Sequence, residues 1–282
     1  MPILDNGATR RATTLSFLAL AAAAPPAAAQ RLLFPDVAPF DTPLGDPRPA
    51  GIYGRLLDVR RGESLYGAER EAEAAAGESF PVFALSRSAN PVVIGMSLGV
   101  AARFSLDDPR SALISTDWTV GIRGRATPGP WVLDLHFYHE SSHLGDEYAQ
   151  RFDVSRIDWT REVGTLSLER RLGAFTAHGR LSYTLIDELA LDRWAAAVAL
   201  DFRAKGSRRI LGAEVRPVAG VFVDGAAYAS WKLTTVARAG VELAGGRRAL
   251  AISLIGLDGL STQRQFFRNR SRYLGFELRF DL

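Results

Sequence analysis

Residues His139 to His143 read HESSH and carry the side chains of two different hydrolytic chemistries. As H-E-x-x-H, the stretch matches the zinc-protease motif, in which two histidines bind the metal and the glutamate acts as general base. It also places Ser141 two residues after His139, and a serine beside a histidine is the minimal activated nucleophile. The two interpretations need different secondary structures, so the surrounding residues decide between them.

A zinc H-E-x-x-H must lie on a helix, because only there do residues i and i+4 point the same way. The residues that lead into the motif, PWVLDLHFYHESSH, alternate instead between apolar and polar positions, which predicts a strand. The serine pair and Gly145 would weaken a helix further. No histidine follows His143 until His178, so the third ligand of the extended motif is missing as well. A zinc protease is therefore the least favoured interpretation.

On a strand, His139 and Ser141 continue the parity of Trp131, Leu133, Leu135 and Phe137 and so lie on the apolar face. Polar groups on such a face are costly unless they have a role. If that face meets lipid, Ser141 is placed to attack an acyl ester and His139 to take its proton. This pattern predicts a serine lipid-ester hydrolase.

The same alternation runs through most of the chain from about residue 90 onward. Apolar residues recur at every second position near 92–100, 114–122, 175–185, 194–202, 231–243 and 274–282. A soluble sandwich would also alternate, but these strands approach the ~9–11 residues that cross a bilayer, and their polar faces carry charges and glycines. Short and long connections also alternate. We therefore predict an all-β, outer-membrane antiparallel barrel of about twelve strands over residues 51–282.

The amino-acid composition excludes several classes of function and of site. The 282-residue chain has a formal charge of +3, so it carries no footprint of a nucleic-acid binder. It has no cysteine, which excludes disulfides and thiolate zinc sites.

The amino-terminal region has the composition of an export signal. Arg10 and Arg11 precede a short apolar run that ends in Ala27-Ala28-Ala29, which predicts a cleaved signal peptide over residues 1–29. The proline-rich residues 30–50 predict a coil or a plug-like lead-in segment. These features predict export to the outer membrane of a Gram-negative bacterium, with insertion by the barrel-assembly machinery.

Several segments resemble known families. The lead-in LLFPDVAPFDTPLGDPRPA, the block FYHESSHLGDEY and the following RIDWTRE are similar to the bacterial family "domain of unknown function 1207". More distantly, His-x-Ser at the outer end of a barrel strand resembles outer-membrane phospholipase A and the lipid A deacylases. Both families usually have asparagine after the serine, where this chain has Ser142.

The more distant resemblance implies residue roles. Its third, orienting residue lies on the next strand about a dozen positions after the serine, which falls on Asp153; Asp146, in the adjoining loop, is the second candidate. Backbone amides near Ser142 to Gly145 would hold the oxyanion. Calcium is a candidate cofactor, with Asp146 and Glu147 as oxygen ligands, and Ser142 and His143 are alternative catalytic or calcium-binding residues. The implied partners are phospholipid or lipopolysaccharide and, as in the phospholipase, a second copy of the chain.

Asp153 faces the same side as His139 only if odd-numbered positions face lipid as far as a bulge near Val163-Gly164.

A non-enzymatic alternative also stands beside the hydrolase. His139 would then be a residue of the barrel rim, and Ser141 would begin a loop in which Asp146 and Glu147 pair with Arg151 or Arg156. The chain would be a structural barrel or a narrow channel.

Overall fold

A computed structural model describes residues 33–35, 40, 42–49, 51–67, 69–86, 91–210, 212–245 and 248–281. The predicted signal peptide lies outside these residues. The strands are β1 (Ile52–Val59), β2 (Arg70–Ala84), β3 (Val93–Ser105), β4 (Leu113–Ala126), β5 (Trp131–Leu144), β6 (Thr160–Leu172), β7 (Phe175–Asp187), β8 (Trp194–Arg203), β9 (Arg208–Ile210), β10 (Ala213–Ala226), β11 (Thr234–Gly245), β12 (Arg248–Leu260) and β13 (Arg270–Asp281). The α-helix α1 spans Asp146–Phe152, and two 3-10 helices span Ala227–Ala229 and Arg264–Phe266.

The strands form one closed antiparallel barrel. Each strand from β1 to β7 and from β9 to β12 pairs with the next, and β8 pairs with β10. β13 returns to pair with β1, so that Ile52 lies opposite Phe280. The three-residue β9 only extends the β8–β10 connection by pairing with the start of β10. The described residues therefore form the twelve-stranded barrel that the alternating pattern predicted.

The two faces of the sheet differ as period-two alternation requires. Large apolar side chains such as Trp118, Ile122, Leu135 and Phe137 are exposed on the outside, while the side chains between them point into the lumen. No helix of the described residues is long and apolar enough to cross a membrane.

The connections also fall into two groups, one at each end of the barrel. At the first end they are the short turns 127–130 and 173–174 and the connections 85–92, 204–212 and 246–247. At the other end, called here the loop end, they span 60–69, 106–112, 145–159, 188–193, 227–233 and 261–269. β5 runs toward the loop end, which places HESSH at that rim.

Ion pairs fill much of the lumen. Glu277 is fully buried and accepts hydrogen bonds from Arg55 Nε at 2.6 Å and Arg238 Nη2 at 2.8 Å. Arg55 also donates to Glu73 at 2.7 Å, and Arg103 approaches Glu73 at 3.5 Å. Buried charges need such partners because the desolvation penalty of an unpaired ion is large.

Glu277→Ala is expected to destabilise the barrel by about 3–5 kcal/mol, because it leaves buried guanidinium groups without their shared carboxylate. Urea unfolding of the refolded protein in detergent measures this loss. The matched control is Asp258→Ala, which removes an exposed carboxylate from Arg270 and Arg272 and should cost no more than about 1 kcal/mol. Equal losses for the two variants would contradict a stabilising role for the luminal network.

Phe40 and residues 42–49 of the lead-in lie inside the barrel, whereas Leu33 and Phe34 are exposed. Phe40, Leu44 and Asp46 are each only 4% exposed. The backbone N–H of Leu44 donates to both carboxylate oxygens of Asp201 at 3.0 Å, and its carbonyl accepts from Arg238. Arg180 donates to Asp46 at 2.6 Å. Residues of this segment therefore act as an internal plug.

The plug is held by charge at its centre. Burial alone would raise the pKa of the Asp46 carboxyl, but Arg180 and the backbone N–H of Arg48 hold that pKa below its ordinary value. Asp46 is therefore ionised at neutral pH. Arg48 adds a second attachment, because it pairs with Asp117 and with the carbonyl of Thr262.

Replacing residues 42–49 with a glycine–serine stretch of equal length is expected to turn a closed barrel into a conducting one, because the plug loses its luminal attachments. Single-channel recording in planar bilayers measures the change. The same replacement in the exposed turn 128–130 serves as control and should leave the barrel closed. High conductance of the unmodified protein would show that the plug does not close the lumen.

Candidate functional site

HESSH forms the last part of a strand, not a helix. His139 and His143 lie on β5 (Trp131–Leu144), paired with Val120 and Thr116 of β4. Four strand residues span about 13 Å at ~3.3 Å per residue, so the two histidines are too far apart to share one zinc ion. The strand that the alternation predicted is present, and the motif lacks the geometry of a zinc protease.

His139 meets a carboxylate on the outer surface. Its Nδ1 lies 2.8 Å from Oε1 of Glu162, which is directly opposite on β6. Their side chains are 37% and 30% exposed, among the apolar residues that face outward. In a serine triad the acid binds Nδ1 and leaves Nε2 for the nucleophile. The His139–Glu162 contact has this arrangement.

Glu162, rather than Asp153, is the acid beside His139. Asp153 is exposed and forms the left-handed C-cap of α1, with φ 48°. The prediction that odd-numbered positions before β6 face lipid is also wrong, because Trp159 is buried on the luminal side. Even-numbered positions of β6 already face outward at Glu162, as they do at Leu166.

The predicted bulge lies on a different strand pair. β5 and β6 pair without interruption from Ser141–Thr160 to Trp131–Arg170. The register instead shifts between Glu162 and Val163 where β6 meets β7. Extending the parity of Leu166 and Leu168 back along β6 would have found Glu162 from the sequence.

Ser141 lies two residues from His139 on the same outward face. It pairs with Trp118 of β4 and Thr160 of β6. Among the described residues, no hydrogen bond joins the Ser141 hydroxyl to His139, whose Nδ1 contacts Glu162. Hydrogen bonds of catalytic groups are often formed only when substrate is bound.

The luminal side of the motif holds the strand end in place. Glu140 is buried and accepts from Trp159 Nε1 at 2.7 Å and from Arg264 Nε at 3.0 Å. Burial alone would lower the pKa of the Arg264 guanidinium, but Glu140 more than offsets this and raises it. Gln265 Nε2 donates to the carbonyls of Ser142 and Ile157, each at 3.0 Å. The loop 261–269 thus contacts the end of β5 and the connection that leads into β6.

The other residues predicted for the site lie around it. Ser142 is buried on the luminal side, with its hydroxyl 3.4 Å from the carbonyl of Thr116. His143 is exposed, and Arg156 Nη1 lies 3.1 Å from its Nδ1. Asp146 and Glu147 occupy the first turn of α1. Arg151 stacks over Tyr66 at 4.5 Å.

Two expected auxiliary features are not seen in this geometry. The backbone N–H of Ser142 donates to the carbonyl of Trp159 at 3.0 Å, and that of Gly145 to Ile114 at 2.9 Å. These two amides are therefore already engaged and do not point at Ser141. Among the described residues, no group of three or more acidic or histidine side chains could hold a metal ion.

An apolar surface adjoins His139 on the membrane side. Phe137 is 51% exposed on β5, and Ile122 and Leu166 are exposed on the neighbouring strands. Gly164 lies opposite Phe137, and a Cβ there would meet Leu185 and the Tyr183 carbonyl at 3.9 Å and Phe137 at 4.0 Å, all at ordinary contact distance. The missing side chain leaves a shallow depression beside the histidine.

The fold is similar to that of several outer-membrane proteins of Gram-negative bacteria. Outer membrane phospholipase A from Escherichia coli gives a TM-score of 0.58 at 11% identity, covering 88% of this chain and 94% of that chain. The calcium-bound dimer of the Salmonella typhi phospholipase gives 0.56 at 13% identity, covering 86% and 91%. LpxR from Salmonella typhimurium gives 0.41 at 10% identity, covering 83% and 100%. At these identities the similarity to the two phospholipases is one of fold.

The family resemblance extends over nearly all of the sequence. No curated protein matches the chain. The model of the family described as "Protein of unknown function (DUF1207)" matches residues 11–282, which confirms the resemblance predicted from the lead-in and the HESSH block. The chain, a twelve-stranded barrel of the outer-membrane type, belongs to the DUF1207 family.

Proposed function

We propose that this barrel is a serine hydrolase that cleaves acyl esters of outer-membrane lipids at an outward-facing site made of Ser141, His139 and Glu162. The observation that carries the proposal is the 2.8 Å contact between His139 Nδ1 and Glu162 Oε1, on the face that also presents Ser141. A histidine–carboxylate pair on an apolar surface is costly and needs a role. Orientation of a catalytic imidazole is such a role.

The proposed reaction follows from the order of the three groups. His139 Nε2 takes the proton of Ser141 as its oxygen attacks the ester carbonyl, and Glu162 stabilises the imidazolium that forms. The imidazolium then protonates the leaving alcohol, and water releases the acyl group from Ser141 by the same steps in reverse order. Because two candidate amides are engaged in the sheet, the oxyanion needs another donor. Arg156, beside His143, is a cationic group at this rim.

The surroundings favour a lipid as the substrate. Phe137, Ile122 and Leu166 offer an apolar surface along which an acyl chain can lie. Trp118, which pairs with Ser141, is 49% exposed at the level of the nucleophile, where tryptophan favours the membrane–water interface. An ester near the headgroup would then meet Ser141 while its chain extends past Gly164. Phospholipid and lipopolysaccharide both have such esters.

Further parts of the proposal concern the cellular setting. The protein is exported by its signal peptide, is inserted into the outer membrane by the barrel-assembly machinery, and exposes the loop end to the outside. The calcium-bound dimer of the similar Salmonella typhi phospholipase makes a homodimer and calcium the first partner and cofactor to examine. Asp146 and Glu147 are oxygen ligands available near the rim.

The proposal is tested by acyl release. The chain from residue 30 onward is refolded in detergent and mixed with phospholipid and lipopolysaccharide, with calcium or with chelator. Mass spectrometry of free fatty acids is expected to show release from one of the two lipids, and the acyl chain identifies which. Absence of release from both lipids, with calcium present and the barrel shown to be folded, would overturn the proposal.

A further inference from the structure

A second serine–histidine pair lies inside the barrel, on the opposite face of the sheet from His139 and Ser141. Ser97 Oγ of β3 is 2.7 Å from His136 Nε2 of β5. The two residues are 39 positions apart in sequence and are brought together across β4. None of the residues of the outward site takes part in this contact.

The luminal histidine is held in a defined orientation. Its ring stacks on that of Tyr138, with centroids 4.5 Å apart and planes at 28°. The ring is therefore positioned by stacking, while its Nε2 meets the hydroxyl. A neutral imidazole in this position can accept the hydroxyl proton.

A cation contacts the serine that neighbours Ser97. Ser97 pairs across the sheet with Ser79 on one side and Gly121 on the other. Arg123 reaches from β4 to Ser79, with Nη1 3.3 Å from the Ser79 hydroxyl. Its guanidinium is held by Asp134 at 3.0 Å. A fixed cation on this wall of the lumen can stabilise the negative charge that forms on a carbonyl oxygen.

Both members of the pair line an internal cavity of about 290 Å³. Polar side chains from several strands share the lining, among them Arg180, Ser182 and Asp224. This volume lies at the lower end of the range for small-molecule pockets. A two-chain lipid does not fit, so this chamber and the outward site would take different substrates.

We propose that Ser97 and His136 form a second, luminal nucleophile–base pair that acts on small, water-soluble acyl esters. Ser97 Oγ bonds to the carbonyl carbon while His136 Nε2 takes its proton. The carbon–oxygen bond to the alcohol then breaks, and the alcohol leaves with that proton. Water, deprotonated by His136, next cleaves the acyl–Ser97 bond and yields the carboxylic acid and free Ser97.

The chamber contains its own control serine. Ser182 lines the same cavity, but its hydroxyl contacts Thr165 Oγ1 at 2.9 Å and not a histidine. A reagent that reacts with any accessible serine would modify Ser97 and Ser182 alike. Activation by His136 predicts modification of Ser97 alone.

The test uses phenylmethanesulfonyl fluoride on the folded full barrel in detergent, with peptide mass mapping to quantify each serine. Ser97 is expected to be sulfonylated, Ser182 to stay unmodified, and His136→Gln to slow the reaction at Ser97 by about a hundredfold, the low end of general-base contributions. Glutamine keeps a polar partner for Ser97, and heat-dependent gel mobility checks that the variant is folded.

A second comparison needs no variant. In the unmodified protein the rate at Ser97 should exceed the rate at Ser182, since only Ser97 has a histidine as its hydrogen-bond partner. Equal modification of Ser97 and Ser182, no modification of Ser97, or a rate at Ser97 insensitive to His136→Gln would overturn the inference. Modification of Ser141 is mapped separately, so the outcome for the outward site does not affect this one.

Discussion

Ser141→Ala is expected to reduce fatty acid release from outer-membrane lipids by at least about a thousandfold, because removal of the nucleophile leaves only binding and charge stabilisation. The loss should appear in kcat while lipid binding is retained, since the hydroxyl is small and half-buried on the outer face. The measurement is the initial rate of release from mixed micelles, compared with the unmodified protein at equal amounts of folded barrel.

Ser142→Ala is the matched control for this variant. Ser142 is the next residue, but its side chain is buried on the luminal side with its hydroxyl near the carbonyl of Thr116. Its replacement should leave the rate within about twofold, because a surface or weakly bonded hydroxyl contributes little. Equal loss in both variants would indicate damage to the strand end and not removal of a nucleophile.

Glu162→Gln is expected to lower the same rate by about a hundred- to ten-thousandfold, which is the scale of losing the acid that orients a catalytic imidazole. Glutamine has nearly the shape of glutamate, but it cannot stabilise an imidazolium at His139 as a carboxylate does. The effect should fall on kcat and spare the apparent affinity for lipid, because Glu162 acts through His139. Rates at saturating and limiting lipid separate the two parameters.

Asp153→Asn separates the two candidates for the third residue. Asp153 is an exposed C-cap of α1 in a left-handed conformation that asparagine also tolerates. Its replacement should therefore leave the rate unchanged. A large loss for Asp153→Asn together with full activity for Glu162→Gln would show that Asp153 is the orienting acid.

The barrel could be predicted from the sequence because the alternation of apolar and polar residues along a strand is a local property. Every second residue of β5, from Trp131 to Phe137, is apolar, and that parity alone places His139 and Ser141 on the outer face. Alternation needs no knowledge of distant contacts, and closure follows from the number and length of the strands.

The third residue of the site was harder to predict because one aromatic residue breaks the rule on which the parity rests. Trp159 is apolar but points inward, where it stacks near Tyr228 and Phe267 and donates to Glu140. Treating Trp159 as lipid-facing reversed the inward and outward assignment of the residues just before β6. Helix α1 also lengthens the connection between β5 and β6. The spacing of about a dozen positions after the serine, taken from the two hydrolase families, therefore ends before β6 begins at Thr160.

The side-chain contacts inside the lumen could not be predicted, because they join residues that are far apart in sequence. The Leu44 amide meets Asp201 across 157 positions, and Ser97 meets His136 across 39. Alternation shows only that these side chains point inward. Which of them meet depends on strand register and shear, and these are set by the closed barrel as a whole.

The most direct test of the central claim is covalent capture of the nucleophile by a long-chain alkyl fluorophosphonate, which resembles a lipid ester and is too large for the luminal chamber. The reagent is added to the folded barrel in detergent, and the modified residue is identified by peptide mass mapping. We predict that it modifies Ser141, and that His139→Gln and Glu162→Gln both slow this modification. Failure to modify Ser141 in the folded protein, or modification whose rate is unaffected by His139 and Glu162, would contradict the proposed site.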